Sequence, residues 1–179
     1  IFAKCSDVIY RDFVFAQQEE IRLALIYIEG LADPGQLSDQ ILRALSLEMP
    51  VTVPSQEITK ARALELIKRG LCSLQVKEAD KLPDIIQASL TGDAVLLVDG
   101  HATALLNAAR GWNAHFLDVS AREPAARGPR EFFTETLRVN TALIRRRIKS
   151  PHLKIEALRF GQVSNTDVAL VYIEGVVNE

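Results

Sequence analysis

The chain has 179 residues, 48% of them hydrophobic and 25% charged, with a formal net charge of −2. A single domain usually runs about 100–150 residues, so one large domain or two small lobes fit this length. A near-neutral chain exerts no global pull on nucleic acid or anionic membrane, and its high apolar content without a long polar tract excludes disorder. Its two cysteines, Cys5 and Cys72, form no C-x-x-C pattern and suggest neither a disulfide framework nor a zinc site. The longest apolar runs, such as Ala94–Val98, fall far short of the roughly 20 residues a spanning helix needs. No signal peptide is visible, and a start at Ile1 reads as a piece trimmed from a longer polypeptide.

The first element reads as strand, polar turn at residues 17–20, and second strand. Phe13 and Phe15 alternate with polar neighbours, and the run Ala24-Leu25-Ile26-Tyr27-Ile28 is nearly continuous and apolar. Such a run suits a strand covered on both faces. Glu29-Gly30 closes it. The same unit returns near the other end of the chain. Ala24 to Gly30 reappears as Ala169-Leu170-Val171-Tyr172-Ile173-Glu174-Gly175, with only Ile26 and Val171 differing. Phe13 and Phe15 correspond to Leu158 and Phe160, and residues 162–166 form the second polar turn. Duplication explains this better than convergence of two strands in one sheet.

After the first copy, Asp33 suits an N-cap, Pro34 the first helical position, and Gln36 completes a capping-box pattern. Leu37, Ile41, Leu42 and Leu45 form the apolar stripe. The second copy carries Asn178 at the position of Asp33, so its helix would begin where the sequence ends. The second sheet is therefore expected to show an exposed patch near Tyr172, or to be covered by another segment or chain. A further helix is expected from Ser55 through Ile58, Ala61, Leu64 and Ile67 to Gly70. Another starts near Pro83 and ends at Gly92. A meander follows: Ala94–Val98, a turn at Asp99-Gly100, residues 103–108, and a third strand at 112–119. Residues 120–128 read as loop. Pro129 opens a long helix to about Lys149, with Phe133, Leu137, Ile144 and Ile148 on one face, and Ser150-Pro151 ends it. The order is a mixed α+β pattern: two small α/β lobes, residues 1–92 and 93–179, with the duplicated unit and one long helix.

Catalytic signatures are missing: no G-x-S-x-G, P-loop, G-x-G-x-x-G or H-E-x-x-H. His101, His115 and His152 are scattered, without a partner at ligand spacing, and no metal or other cofactor is implied. Glu29 and Glu174 hold equivalent places, which makes strand-end structure a simpler reading than paired acid–base chemistry. The basic cluster is more informative. Arg138, Arg145, Arg146, Arg147 and Lys149 lie on the long helix, and Arg127 and Arg130 flank its start. Cations near a helix C-terminus offset its dipole, and Arg138 is within reach of Glu135. Functional readings are a partner-protein contact, an anionic ligand at the helix start near Arg127 and Arg130, or nucleic acid. Nucleic acid is the weakest, because no aromatic platform accompanies the arginines.

The segment Arg127-Gly128-Pro129-Arg130-Glu131, followed by Thr134-Glu135-Thr136-Leu137-Arg138 and Asn140-Thr141-Ala142-Leu143-Ile144-Arg145-Arg146-Arg147-Ile148-Lys149, resembles the A subunits of the GerA family of spore germinant receptors. The likeness continues through Pro151, Lys154-Ile155-Glu156 and Val168 to Gly175, and includes Leu97-Val98-Asp99-Gly100 and Arg110-Gly111-Trp112. It is dense from about residue 93 and topological before that. Phe132, where the family has a small residue, and Asn107-Ala108-Ala109 depart from the pattern.

The resemblance implies a soluble N-terminal region of two α/β lobes ahead of a multi-span membrane region, in the spore inner membrane. It implies a transporter-like B subunit and a lipoprotein C subunit as partners, and nutrient detection that leads to ion release and germination. A receptor module would use Arg127, Arg130, Asn140 and Thr141 toward a small nutrient ligand, since polar groups at a helix start and lobe junction suit ligand contacts. An assembly scaffold without a ligand would use Arg138, Arg145, Arg146 and Tyr172 as interface, including contacts in a homo-oligomer. A hydrolase or transferase would need a nucleophile–base pair, and none is legible, so no enzymatic role is expected.

Overall fold

The computed structural model describes residues 1–15, 18–53, 58–71, 75–111 and 133–176. Alternating apolar residues produce β1 (Val8–Phe15) and β2 (Gln18–Ile28), paired antiparallel from Val8 opposite Ile28 to Phe13 opposite Leu23. A bulge at Val14/Phe15 then shifts the register. The second copy forms β6 (Leu153–Phe160) and β7 (Thr166–Ile173), running from Leu153 opposite Ile173 to Leu158 opposite Val168. These partners are the first copy's, displaced by the same interval in sequence. The flanking hydrogen bonds repeat as well. Val8 N donates to Cys5 O as Leu153 N does to Ser150 O, and Glu29 N donates to Asp7 O as Glu174 N does to His152 O. Gly30 and Gly175 both adopt positive φ, +79° and +85°. The duplication read from seven residues therefore extends to pairing, closure and turn.

Between the copies the chain builds helices and three more strands. Asp33 caps as expected: its Oδ1 accepts from Gly35 N at 2.8 Å and Gln36 N at 3.4 Å. Helix α1 (Pro34–Gln36) runs into π-helical turns at Leu37–Leu42 and Ala44–Glu48, then α2 (Met49–Thr52). Sequence spacing did not foretell the π turns, because Leu37, Ile41 and Leu45 reach the core in either geometry. Helix α3 (Lys60–Gly70) has Thr59 at its N-cap position, and Ser55, the expected cap, lies outside the described residues. It buries Ala63, Leu66 and Ile67 rather than a stripe through Ala61, which is exposed. Strand β3 (Val76–Ala79), α4 (Leu82–Leu90), β4 (Ala94–Val98) and β5 (Ala104–Asn107) complete the unit.

These strands form one antiparallel sheet in the order β1-β2-β4-β5-β3. One face carries Phe15, Leu23, Leu25, Tyr27, Leu96 and Leu105 against Leu37, Ile41, Leu45, Leu66 and Ile67. The other face, with Val95, Ala104 and Leu106, meets Ala88 of α4. Each fully buried Leu or Phe contributes about 1.5–3 kcal/mol by leaving water. The lobe boundary expected at residue 92 falls just ahead of β4, whose hydrogen bonds to β2 and β5 hold it inside the first sheet. The third meander strand expected at 112–119 lies outside the described residues, and β5 pairs instead with β3.

The β6–β7 pair is anchored at one end and open along the rest. Leu153, Lys154 and Ile155 are buried. Further out, Leu158, Phe160, Val168 and Leu170 project from one face and are 37%, 57%, 37% and 49% exposed. Their counterparts in the first copy are Phe13, Phe15, Leu23 and Leu25, the face covered by the π turns, α2 and α3. The expected patch near Tyr172 is thus present among the described residues. Tyr172 itself is half-buried, and its hydroxyl donates to Glu156 Oε1.

Candidate functional site at the junction helix

The helix expected from Pro129 begins, within the described residues, at Leu137 and runs to Arg147 as α5, with Thr136 at its N-cap. Residues 133–136 precede it in non-helical conformation, because Asn140 folds back on that segment. Its Oδ1 accepts from Thr134 N at 2.7 Å and its Nδ2 donates to Thr134 O at 2.7 Å. The buried face also differs from the expected stripe. Phe133 is 70% exposed and Leu137 37%, whereas Ala142, Leu143 and Arg145 are buried.

Three residues one helical turn apart explain that orientation. Arg138 Nη2 lies 3.0 Å from Glu29 Oε1, so its partner is the strand-end carboxylate of the first copy rather than Glu135. Ala142 packs on Gly30 so closely that a Cβ there would lie 2.6 Å from the Ala142 Cβ. Arg145 is fully buried. Its Nε and Nη2 donate to Asp7 Oδ2 and Oδ1 at 2.8 and 2.9 Å, a bidentate fork, and Nη1 donates to Leu153 O at 2.9 Å and Ser150 O at 3.4 Å. One guanidinium thereby ties the start of β1, the end of α5 and the start of β6.

The N-terminal segment reinforces this joint. Cys5 bridges Ile155 in parallel, Ser6 N and Oγ both donate to Ile155 O, and Lys154 Nζ donates to Ile1 O at 2.7 Å while lying 3.2 Å from Glu174. The β6–β7 pair is thus fixed to the large sheet by ionic, backbone and helix contacts together.

The structure places the sequence-derived candidates unevenly. Arg127 and Arg130, with the Phe132 departure, lie outside the described residues. Asn140 and Thr141 are half-buried and locally engaged, Thr141 Oγ1 donating to Arg138 O at 3.0 Å. Arg138 is 68% exposed, Arg146 is half-buried, and Arg147 is exposed. Arg145, expected on an exposed partner face, is instead internal, because Asp7 and two backbone carbonyls take its donors. Sequence reading missed Asp7 and Glu29 as its and Arg138's partners. The signal was faint: Arg138, Ala142 and Arg145 share one helical stripe, but each partner is more than a hundred residues away.

A second feature lies on the open part of the large sheet. A cavity of about 910 Å³ is lined by Asp12, Arg22, Ala24, Leu97, Asp99 and His101, among others. Asp99 pairs with Lys60 at 3.3 Å, and His101 Nε2 lies 2.8 Å from Lys60 O. Among the described residues, no group of three or more His, Cys, Asp or Glu could hold a metal. No helix among them is long and apolar enough to cross a membrane.

The whole chain, residues 1–179, matches the family model of the Bacillus/Clostridium GerA spore germination protein. The chain belongs to that family. It is 34% identical over 175 residues to spore germination protein KA of Bacillus subtilis, covering 97% of this chain and 31% of that protein. It is 33% identical over 159 residues to spore germination protein GerLA of Bacillus cereus, covering 88% of this chain and 31% of that one. The chain thus spans about a third of these relatives. Its fold matches the crystal structure of the N-terminal domain of the A subunit of the Bacillus megaterium spore germinant receptor GerK3, with a TM-score of 0.75 and 30% identity, over 98% of this chain and 61% of that one.

Proposed function

We propose that this chain is the N-terminal domain of a spore germinant receptor A subunit that takes part in nutrient sensing and passes the signal on to trigger germination. The observation that carries the reading is α5, which grips the first strand pair through Glu29 and Gly30 and holds the second through Arg145. A ligand or partner that moves either unit would move α5. In this reading the domain works without catalysis, beside a transporter-like B subunit and a lipoprotein C subunit at the spore inner membrane. Arg127, Arg130, Asn140 and Thr141 remain the ligand contacts we favour, and Arg138, Arg146 and Tyr172 the partner contacts.

The second reading is an assembly scaffold with no small ligand, favoured by the exposed apolar face of Leu158, Phe160, Val168 and Leu170. An NMR titration of the labelled chain with pools of amino acids, sugars and nucleosides separates the two. Saturable shifts around Asn140 and Thr141 support sensing. Saturable shifts confined to Asp12, Arg22 and Leu97 move the ligand to the sheet cavity. No shifts at millimolar ligand sink direct sensing and leave the scaffold.

A further inference from the structure

The first copy shows how a helix docks on this repeated unit. Three residues of α5 seat on three residues of the copy: Arg138 on Glu29, Ala142 on Gly30, and Arg145 on Asp7. The corresponding residues of the second copy are Glu174, Gly175 and His152, held in the same backbone arrangement by the Glu174 N to His152 O bond and the positive φ of Gly175. Among the described residues this second seat carries no helix. Glu174 is met from within its own strand pair by Lys154 Nζ at 3.2 Å, yet its side chain is still 58% exposed, His152 is exposed, and a Cβ on Gly175 would meet nothing within 4 Å.

We propose that the Glu174-Gly175-His152 notch is the docking seat of a second helix, contributed by the further polypeptide that the longer relatives possess. Two observations point to that occupant. Helix α5 stands in sequence between the copies, after the one it docks on and just before the next, so a helix for the second copy is expected downstream of it. The relatives extend well beyond the matched third, so they have chain to supply it. The notch also specifies the helix. Opposite Glu174 it needs Arg or Lys. Four residues later, over Gly175, it needs Gly, Ala or Ser, since the close approach at Gly30 leaves room for no larger side chain. Three residues further on, it needs a group that suits His152. That is an acceptor such as Asp, Glu or Asn, because an imidazole cannot take the forked guanidinium that Asp7 takes.

The test compares the 179-residue chain with the same chain extended to the length of its relatives, by amide hydrogen exchange and by structure determination. The amide of Val176, bonded to Ile173 O, is expected to exchange at least about tenfold more slowly in the extended protein, a change of the size local opening equilibria produce. Glu174→Arg is expected to return it toward the short chain's rate, and Glu174→Gln to do so in part. A helix with the basic–small–acceptor spacing should lie across the notch. Equal exchange in both lengths, protection indifferent to Glu174→Arg, or a strand or loop in the seat would each overturn the proposal.

Discussion

Asp7→Ala leaves the Arg145 guanidinium buried without its forked carboxylate. Removing one partner of a buried pair typically costs about 3–5 kcal/mol, because the remaining charge stays desolvated. Arg145 is fully buried here, and Asp7 is only 7% exposed, so water cannot easily replace the lost oxygens. Two carbonyls, Leu153 O and Ser150 O, still accept from Nη1 and offset part of that loss. The expected destabilisation is therefore near the lower end, about 3 kcal/mol, against a total of about 5–15 kcal/mol for an ordinary domain. Urea denaturation read by far-ultraviolet circular dichroism measures it. The double variant Asp7→Leu/Arg145→Met, which restores packing without charge, should recover much of the stability, since apolar replacements of buried pairs are often neutral. Arg159→Ala, which opens an ion pair exposed on both sides, should be indistinguishable from the parent. A loss below about 1 kcal/mol for Asp7→Ala, in the range of surface pairs, would refute the view that Arg145 holds the joint.

Three further outcomes follow from particular contacts. Gly30→Ala places a left-handed residue against Ala142 and should lose more stability than Gly100→Ala, whose Cβ would meet nothing within 4 Å; the second carries only the left-handed penalty of about 1–2 kcal/mol, and thermal melts of both variants decide it. Asn140→Ala removes the side-chain bonds to Thr134 and should cost about 1–2 kcal/mol, with faster proteolysis near residue 134 as the local sign. Leu170→Ser changes a residue 49% exposed, so the unfolding free energy should change by no more than about 0.5 kcal/mol in urea denaturation, while binding of a hydrophobic dye falls.

Local chemistry was legible where neighbours decide it. Asp33 before Pro34 is a helix start in any context, and the copied run ending in Glu-Gly carried its pairing and its turn with it. Long-range choices were not. Residue 92 looked like a boundary because β4 and β5 resemble a new meander, yet β4 completes the first sheet by pairing with β2 across an intervening stretch of helices. The start of α5 was misread because Pro129 is a good first helical residue, whereas the side chain of Asn140 sets the backbone at Thr134. Arg145 looked like one more surface cation, since nothing near it in sequence reveals that Asp7 waits in the core.

The proposed transmission between the two strand pairs through α5 is tested by a charge swap at Glu29 and Arg138 in the full-length protein, in spores whose germination would depend on it as the proposed receptor subunit. Arg138 is exposed enough for substitution to leave the fold intact. Optical-density loss after nutrient addition is the readout, with receptor level checked by immunoblot. Glu29→Arg and Arg138→Glu should each slow the response at normal receptor level, and the double variant should restore it. Parental rates in both single variants would contradict transmission through this helix.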